Sequence, residues 1–222
     1  MLPGLGDTPR RVDVDSSLAP WTALARLNVP GVSRCTAVLV APRLALTAAH
    51  CVVSRRLGHL APPEAVHVVA GYHDGQWTRH SVALAIAVAP GYDVNHPDNT
   101  RGADVALLTL ADPVIDGTAA LPLGNARPGT QAALGGYSQD REERITADTH
   151  CQVTGFAADG EGRPLLAHNC AGTRGTSGAA VLDGFGGGWR VTGVEVGAYN
   201  NASGGVAVPA SALGAYFGLP VR

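Results

Sequence analysis

Gly175-Thr176-Ser177-Gly178-Ala179-Ala180-Val181 sets a serine between glycines at the mouth of an apolar run. A serine hydroxyl is a weak nucleophile until a base takes its proton, so this stretch carries chemistry only if a histidine and a carboxylate stand ready elsewhere. The bland alternative is a turn between strands. It explains the glycines and predicts no partners.

Working outward, two partners have distinctive settings. His50 ends Leu46-Thr47-Ala48-Ala49-His50-Cys51, where small residues let the backbone turn tightly and a bonded Cys51 would pin the imidazole, as a general base requires. Asp104 immediately precedes Val105-Ala106-Leu107-Leu108-Thr109-Leu110, where burial is expected. A buried carboxylate on a histidine ring N–H would hold the tautomer whose other nitrogen accepts the serine proton. Taken alone, Asp104 is equally a strand-start residue. The remaining histidines, His150 and His168 among them, have no nameable partner and read as structural.

Bulk composition favours many short strands. The chain has 222 residues, 45% of them hydrophobic, with 29 glycines and 15 prolines, and no long apolar helical stripe, which points to an all-β protein with a sizeable core. A net charge of -2 and no basic cluster beyond Arg10-Arg11 and Arg55-Arg56 predict no nucleic-acid partner. No apolar run approaches the roughly 20 residues of a membrane span. The first residues lack the regions of a signal peptide, yet the four cysteines fall into the pairs Cys35/Cys51 and Cys151/Cys170 without metal or redox spacing. Two disulfides are the economical reading, four reduced buried thiols the alternative. With the disulfides goes an expectation of a secreted or periplasmic protein whose export signal has been removed.

Three segments follow along the chain. Residues 1–15 read as an arm laid on the surface or partly disordered. Residues 16–115 form a β unit with strands at Thr22–Val29, Thr36–Val40, Leu44–Thr47, Val66–Tyr72, Val82–Val88 and Val105–Leu110. In the fifth, bulky residues alternate with alanines at period two. The Pro/Gly-containing stretch Ala111–Arg127 carries the boundary. Residues 116–222 form a second β unit with strands at Gln131–Gly136, Arg144–Thr154, Leu165–Asn169, Gly178–Leu182, Trp189–Gly197 and Gly205–Val208, a hairpin turn at Gly184–Gly188, and a terminal helix from Pro209 through Phe217.

The three motifs at His50, Asp104 and Ser177 resemble those of the chymotrypsin/trypsin-like serine peptidases, in that family's order and 54 and 73 residues apart. Pro20-Trp21, Cys35-Thr36-Ala37-Val38-Leu39-Val40 and Gly135-Gly136-Tyr137 look like further landmarks. The resemblance implies two packed six-stranded antiparallel β-barrels with the site in the cleft between them and a short C-terminal helix. It makes Ser177 the nucleophile, His50 the base and then acid, and Asp104 the orienting carboxylate. Gly175 and Ser177 would offer backbone N–H groups as an oxyanion hole, and the substrate would be a protein or peptide cut by a monomer that needs no cofactor or metal. Asp93, Asn95, His96, Asp98 and Asn99 form a polar loop without calcium-site spacing.

Departures from the pattern narrow the comparison. Thr176 stands where digestive members carry an aspartate that binds a new N-terminus, so activation by that ion pair is not expected and the chain looks nearer to bacterial, glutamyl-endopeptidase-like members. Val196 replaces a serine that in many relatives donates to the catalytic aspartate. Ala171 stands where trypsin places the aspartate of its primary pocket. The walls of that pocket are expected from Ala171, Gly172, Thr173 and Arg174, from Val196, Gly197 and Ala198, and from Gly204 and Gly205. Glu195 falls where glutamyl-specific relatives carry histidine, and its carboxylate leans the pocket toward Lys or Arg. The rival function is a non-catalytic binding protein on the same fold.

Overall fold

The computed structural model describes residues 2–6, 10–184, 188–200 and 202–222. In chain order the strands are β1 (Val12–Asp13), β2 (Leu24–Val29), β3 (Ser33–Ala41), β4 (Leu44–Thr47), β5 (Val53–Ser54), β6 (His59–Leu60), β7 (His67–Ala70), β8 (Arg79–Val88) and β9 (Ala106–Leu110). They continue with β10 (Gln131–Gly136), β11 (Thr146–Ala158), β12 (Pro164–His168), β13 (Ala180–Asp183), β14 (Arg190–Ala198) and β15 (Gly205–Pro209), and the chain ends on helix α1 (Ala210–Phe217). A closed barrel runs β2-β3-β4-β9-β8-β7, and β2 pairs back onto β7. The second runs β11-β10-β13-β14-β15-β12 and closes through β11–β12. Every one of these ladders is antiparallel, as hairpin-connected neighbours require. The expected all-β fold of two six-stranded barrels with a terminal helix is therefore observed.

Period-two sequence explains the strands. In β9, Ala106, Leu108 and Leu110 are fully buried while Thr109 between them is exposed. Each such leucine removed from water contributes on the order of 2 kcal/mol. In β8 the simple alternation expected from sequence is broken. Ser81 and Ala83 face inward, a bulge intervenes between Ala83 and Ala85, and Ile86 and Val88 then pack on the core while Leu84 is 63% exposed. One extra residue reverses the face of everything beyond it, which a count of apolar positions cannot register. Strand β11 also runs on to Ala158, and the short β5–β6 ribbon has no counterpart in the sequence reading.

The arm is ordered where it is described. Val12 and Asp13 pair with Ala147 and Thr146, so β1 adds a seventh strand to the second barrel although it precedes the first in sequence. Arg10 meets the fully buried Asp148 at 3.1 Å, and Arg11 meets Asp140 at 2.6 Å. One buried cluster joins both barrels, with Trp21 and Tyr137 within it. The Tyr137 hydroxyl donates to Tyr72 O at 3.0 Å across the junction. The glycine-rich turn expected around Gly184–Gly188 lies partly outside the described residues. Helix α1 stops at Gly218, which adopts the left-handed conformation common just past a helix end.

Candidate active site

His50 sits in a single 3-10 turn, Ala49–Cys51, directly after β4. The turn is held by the Cys35–Cys51 disulfide to β3 and by the Ser33 hydroxyl, which donates to Cys51 O at 2.5 Å. Asp104 caps a second 3-10 turn, Arg101–Ala103, and is 3% exposed. Both its carboxylate oxygens are spent on one residue. Oδ1 accepts the His50 backbone N–H at 2.8 Å, and Oδ2 lies 2.6 Å from His50 Nδ1. Two bonds to one partner fix the ring in plane and place its Nδ1 proton toward Asp104, leaving Nε2 as the free lone pair. Burial pulls the His50 pKa down, but the charge and hydrogen bond of Asp104 outweigh it, and the net shift is upward from 6.5.

The turn bearing Asp104 is clamped from the second barrel. Gly102 N donates to Asp159 Oδ2 at 2.9 Å, and the Tyr216 hydroxyl of α1 donates to Gly102 O at 3.1 Å. Burial works against the Asp159 charge, yet backbone N–H groups of Arg163, Gly102 and Glu161 hold its pKa below the usual carboxylate value. Val196 is buried and apolar, so the missing serine donor leaves Asp104 with its two bonds from His50. Near it lies Tyr92, whose buried hydroxyl has no hydrogen-bond partner among the described residues and whose pKa is pushed up by burial and by the Asp104 charge.

Ser177 lies on the turn before β13, half-buried. Its carbonyl accepts Thr36 N–H at 2.9 Å. The Thr36 hydroxyl, fully buried on β3, donates to Gly175 O at 2.9 Å and accepts Tyr137 N–H at 3.0 Å. A Cβ at Gly178 would collide with Thr36 O and Thr47 Oγ1, so only glycine lets the Ser177 turn press against the end of β4, three residues from His50. A Cβ at Gly175 would collide with Tyr137 O, and its φ of +91° disfavours any other residue. The structure thus brings the Ser177 turn to the strand that delivers His50. The hydrogen bonds among the described residues do not include one from Ser177 Oγ to His50 Nε2. Thr176, N–H groups of Gly178 and Ala179 all bond within the protein, to Thr173 O for Thr176 N, Glu195 O for Gly178 N and Thr176 O for Ala179 N. Gly175 N and Ser177 N are absent from those donors among the described residues.

Thr176 is buried and its hydroxyl lies 3.0 Å from Ser138 Oγ, a neutral pair where an aspartate would need a cation. Ala171, Gly172 and Thr173 are buried and Arg174 is exposed. Ala171 N donates to Asp148 Oδ2 at 2.9 Å, and the Cys151–Cys170 disulfide anchors the residue before it. Thr173 Oγ1 is buried without a partner among the described residues. Gly197 and Ala198 pair with Val206 and Gly205 between β14 and β15. Glu195 is not a bare carboxylate. His168 Nδ1 accepts Cys170 N–H at 3.2 Å, which leaves the ring proton on Nε2, 2.5 Å from Glu195 Oε2. His168, read as structural in sequence, is therefore the partner of Glu195. Sequence gave no hint of it, since 27 residues separate the two.

Ligand atoms of Cys35, His50 and Cys51 lie within 4.8 Å of one another, but the two sulfurs are bonded to each other and offer no thiolate. In the polar loop, Asp93 accepts Asn95 N–H at 2.8 Å and meets His96 at 2.8 Å, and Asp98 pairs with Arg101. Among the described residues no helix is long and apolar enough to cross a membrane.

Known proteins share this two-barrel fold. A structure described as Glu endopeptidase in complex with MPD is similar over 95% of each chain, with 22% identity and a TM-score of 0.76. The inactive form of the Rv3671c protease is similar over 91% of each chain, with 20% identity and a TM-score of 0.63. At these identities the likeness is one of fold. The family model described as Trypsin matches residues 12–215. Spanning nearly the whole chain and both barrels, that match means that the chain belongs to the trypsin family.

Proposed function

We propose that the protein is a serine endopeptidase that hydrolyses peptide bonds through an acyl-enzyme. The observation that carries this reading is the doubly bonded His50–Asp104 pair, which leaves Nε2 free to act as base on a serine turn brought to the same strand end. Residues up to about 115 supply His50 and Asp104; those from 116 onward supply Ser177, the oxyanion hole and the primary pocket.

Ser177 Oγ attacks the scissile carbonyl carbon as its proton passes to His50 Nε2, and Asp104 balances the imidazolium charge. The carbonyl oxygen becomes an oxyanion that Gly175 N–H and Ser177 N–H receive. His50 then gives its proton to the departing amine, leaving the acyl group on Ser177. Water, deprotonated by His50, attacks the ester and the second half mirrors the first. Thr176 paired with Ser138 supports activity that does not depend on a buried N-terminal ion pair. The two disulfides support a secreted or periplasmic setting.

Labelling with a fluorophosphonate and mapping the adduct tests the reading. A stoichiometric adduct on Ser177, lost in His50→Ala, is expected. No adduct on Ser177 would favour a non-catalytic binding protein, and equal labelling of His50→Ala would overturn His50 as the base.

A further inference from the structure

The arm holds one more contact, at residues that the mechanism leaves unused. Gly4 O accepts N–H groups from Gly172 at 3.2 Å and Gly204 at 3.3 Å, and Gly4 N donates to Tyr199 O at 2.7 Å. Gly4 also forms a parallel bridge with Ser203, whose hydroxyl donates to Leu5 O at 2.8 Å. Gly172 and Gly204 belong to two of the pocket walls, and Tyr199 directly follows Ala198 of the third. The fit is tight. A Cβ at Gly4 would collide with Gly172 O and come within 2.8 Å of the Ala198 side chain, and φ at Gly4 is +78°. The same arm is moored at Arg10 to the buried Asp148, whose Oδ2 also receives Ala171 N–H from the first wall.

We propose that the strap Leu2–Gly6 is a built-in wall of the primary pocket, and that Gly4, wedged between Gly172 and Ala198, limits the residue before the scissile bond to small uncharged side chains such as alanine. The inference rests on the peptidase reading and adds to it a specificity determinant outside the three expected walls. Bonded to Gly172 and Gly204 of two walls and to Tyr199 beside the other, the seated strap has to be displaced before a long side chain can lie between Gly172 and Ala198. Glu195 has its Oε2 on His168 and is 4% exposed, so its charge is not offered to a basic substrate residue. A pocket set by sterics discriminates by roughly tenfold or more per added group.

The test uses the full chain and peptides that differ only in the residue before the scissile bond: Ala, Leu, Phe, Arg and Glu. The chain should cleave after Ala at least about tenfold faster, in kcat/KM, than after the others. Gly4→Val, which cannot seat the strap, should raise the ratio of cleavage after Leu and Phe to cleavage after Ala by about tenfold. Ser203→Ala, which removes only the tether to Leu5, should move the profile the same way by a few-fold, and it carries the test if Gly4→Val does not fold. Fluorophosphonate labelling of Ser177 needs no pocket and should be equal in all three proteins. Equal cleavage after Leu, Phe, Arg or Glu in the unaltered chain, or the same profile in the variants, would overturn the strap alone. Absence of labelling throughout would overturn the peptidase reading and the strap with it.

Discussion

The two sides of the proposed site are built by different means. On the first barrel, His50 and Asp104 meet side chain to side chain, and His50 is pinned by a disulfide one residue away. On the second, the segment around Ser177 is held at its own backbone groups: Thr36 bonds Gly175 and Ser177, Asp148 bonds Ala171, and Glu195 O accepts Gly178 N–H. The difference follows from chemistry. A base must keep one ring orientation and one tautomer, and a carboxylate partner enforces both while balancing the imidazolium charge. An oxyanion hole and a pocket are made of main chain, so glycines and small residues serve where side chains would intrude.

Substituting Asp104→Asn would break the first side most deeply. With the carboxylate gone the His50 tautomer is no longer fixed, and kcat should fall about 10⁴-fold with little change in KM, read from steady-state kinetics on any peptide the enzyme cuts. A fall below tenfold would mean that the pair is structural. Next in size is the pin itself. Replacing Cys35 and Cys51 together by serine should cost roughly 2–5 kcal/mol in denaturant unfolding, and kcat should fall beyond what lost stability explains because the His50 turn loosens. The second side is probed by Thr36→Val, which strips partners from Gly175 O and Tyr137 N. Buried unpaired groups of this kind cost about 1–3 kcal/mol, and the loss of activity should appear in kcat. If Thr36→Val instead matches the unaltered protein in both, the backbone stitching is not what holds the serine turn.

Legibility in the sequence divides along the same line. His50, Asp104 and Ser177 could be picked out because each sits in a short local motif, and the strands because alternation is local. What escaped notice is long-range. Thr36 acts on Gly175 across 139 residues, and Asp159 and Tyr216 clamp Gly102 across 57 and 114. No period or spacing encodes such pairs. The arm, without apolar rhythm, reads as surface chain or as partly disordered, yet charge and backbone pairing dock it at Arg10, Arg11 and β1. Position alone singles out Glu195, and only the fold supplies His168. Alternation marks the β8 strand but not its bulge, since one inserted residue leaves composition unchanged.

The most direct test of the central claim, that Asp104 holds His50 as the base for Ser177, is the rate of Ser177 acylation by a small active ester as a function of pH. Because the His50 pKa is raised, the neutral base forms only as pH climbs past that raised value. The same sign gives His50 protonation a stabilising contribution that is present below the unfolded value near 6.5 and lost as pH rises through the folded one. The account predicts acylation that rises with pH through a single midpoint above 6.5, and that falls by orders of magnitude in Asp104→Asn. A rate independent of pH between 5 and 9, on the order of that range, or an unchanged profile in Asp104→Asn, would contradict it.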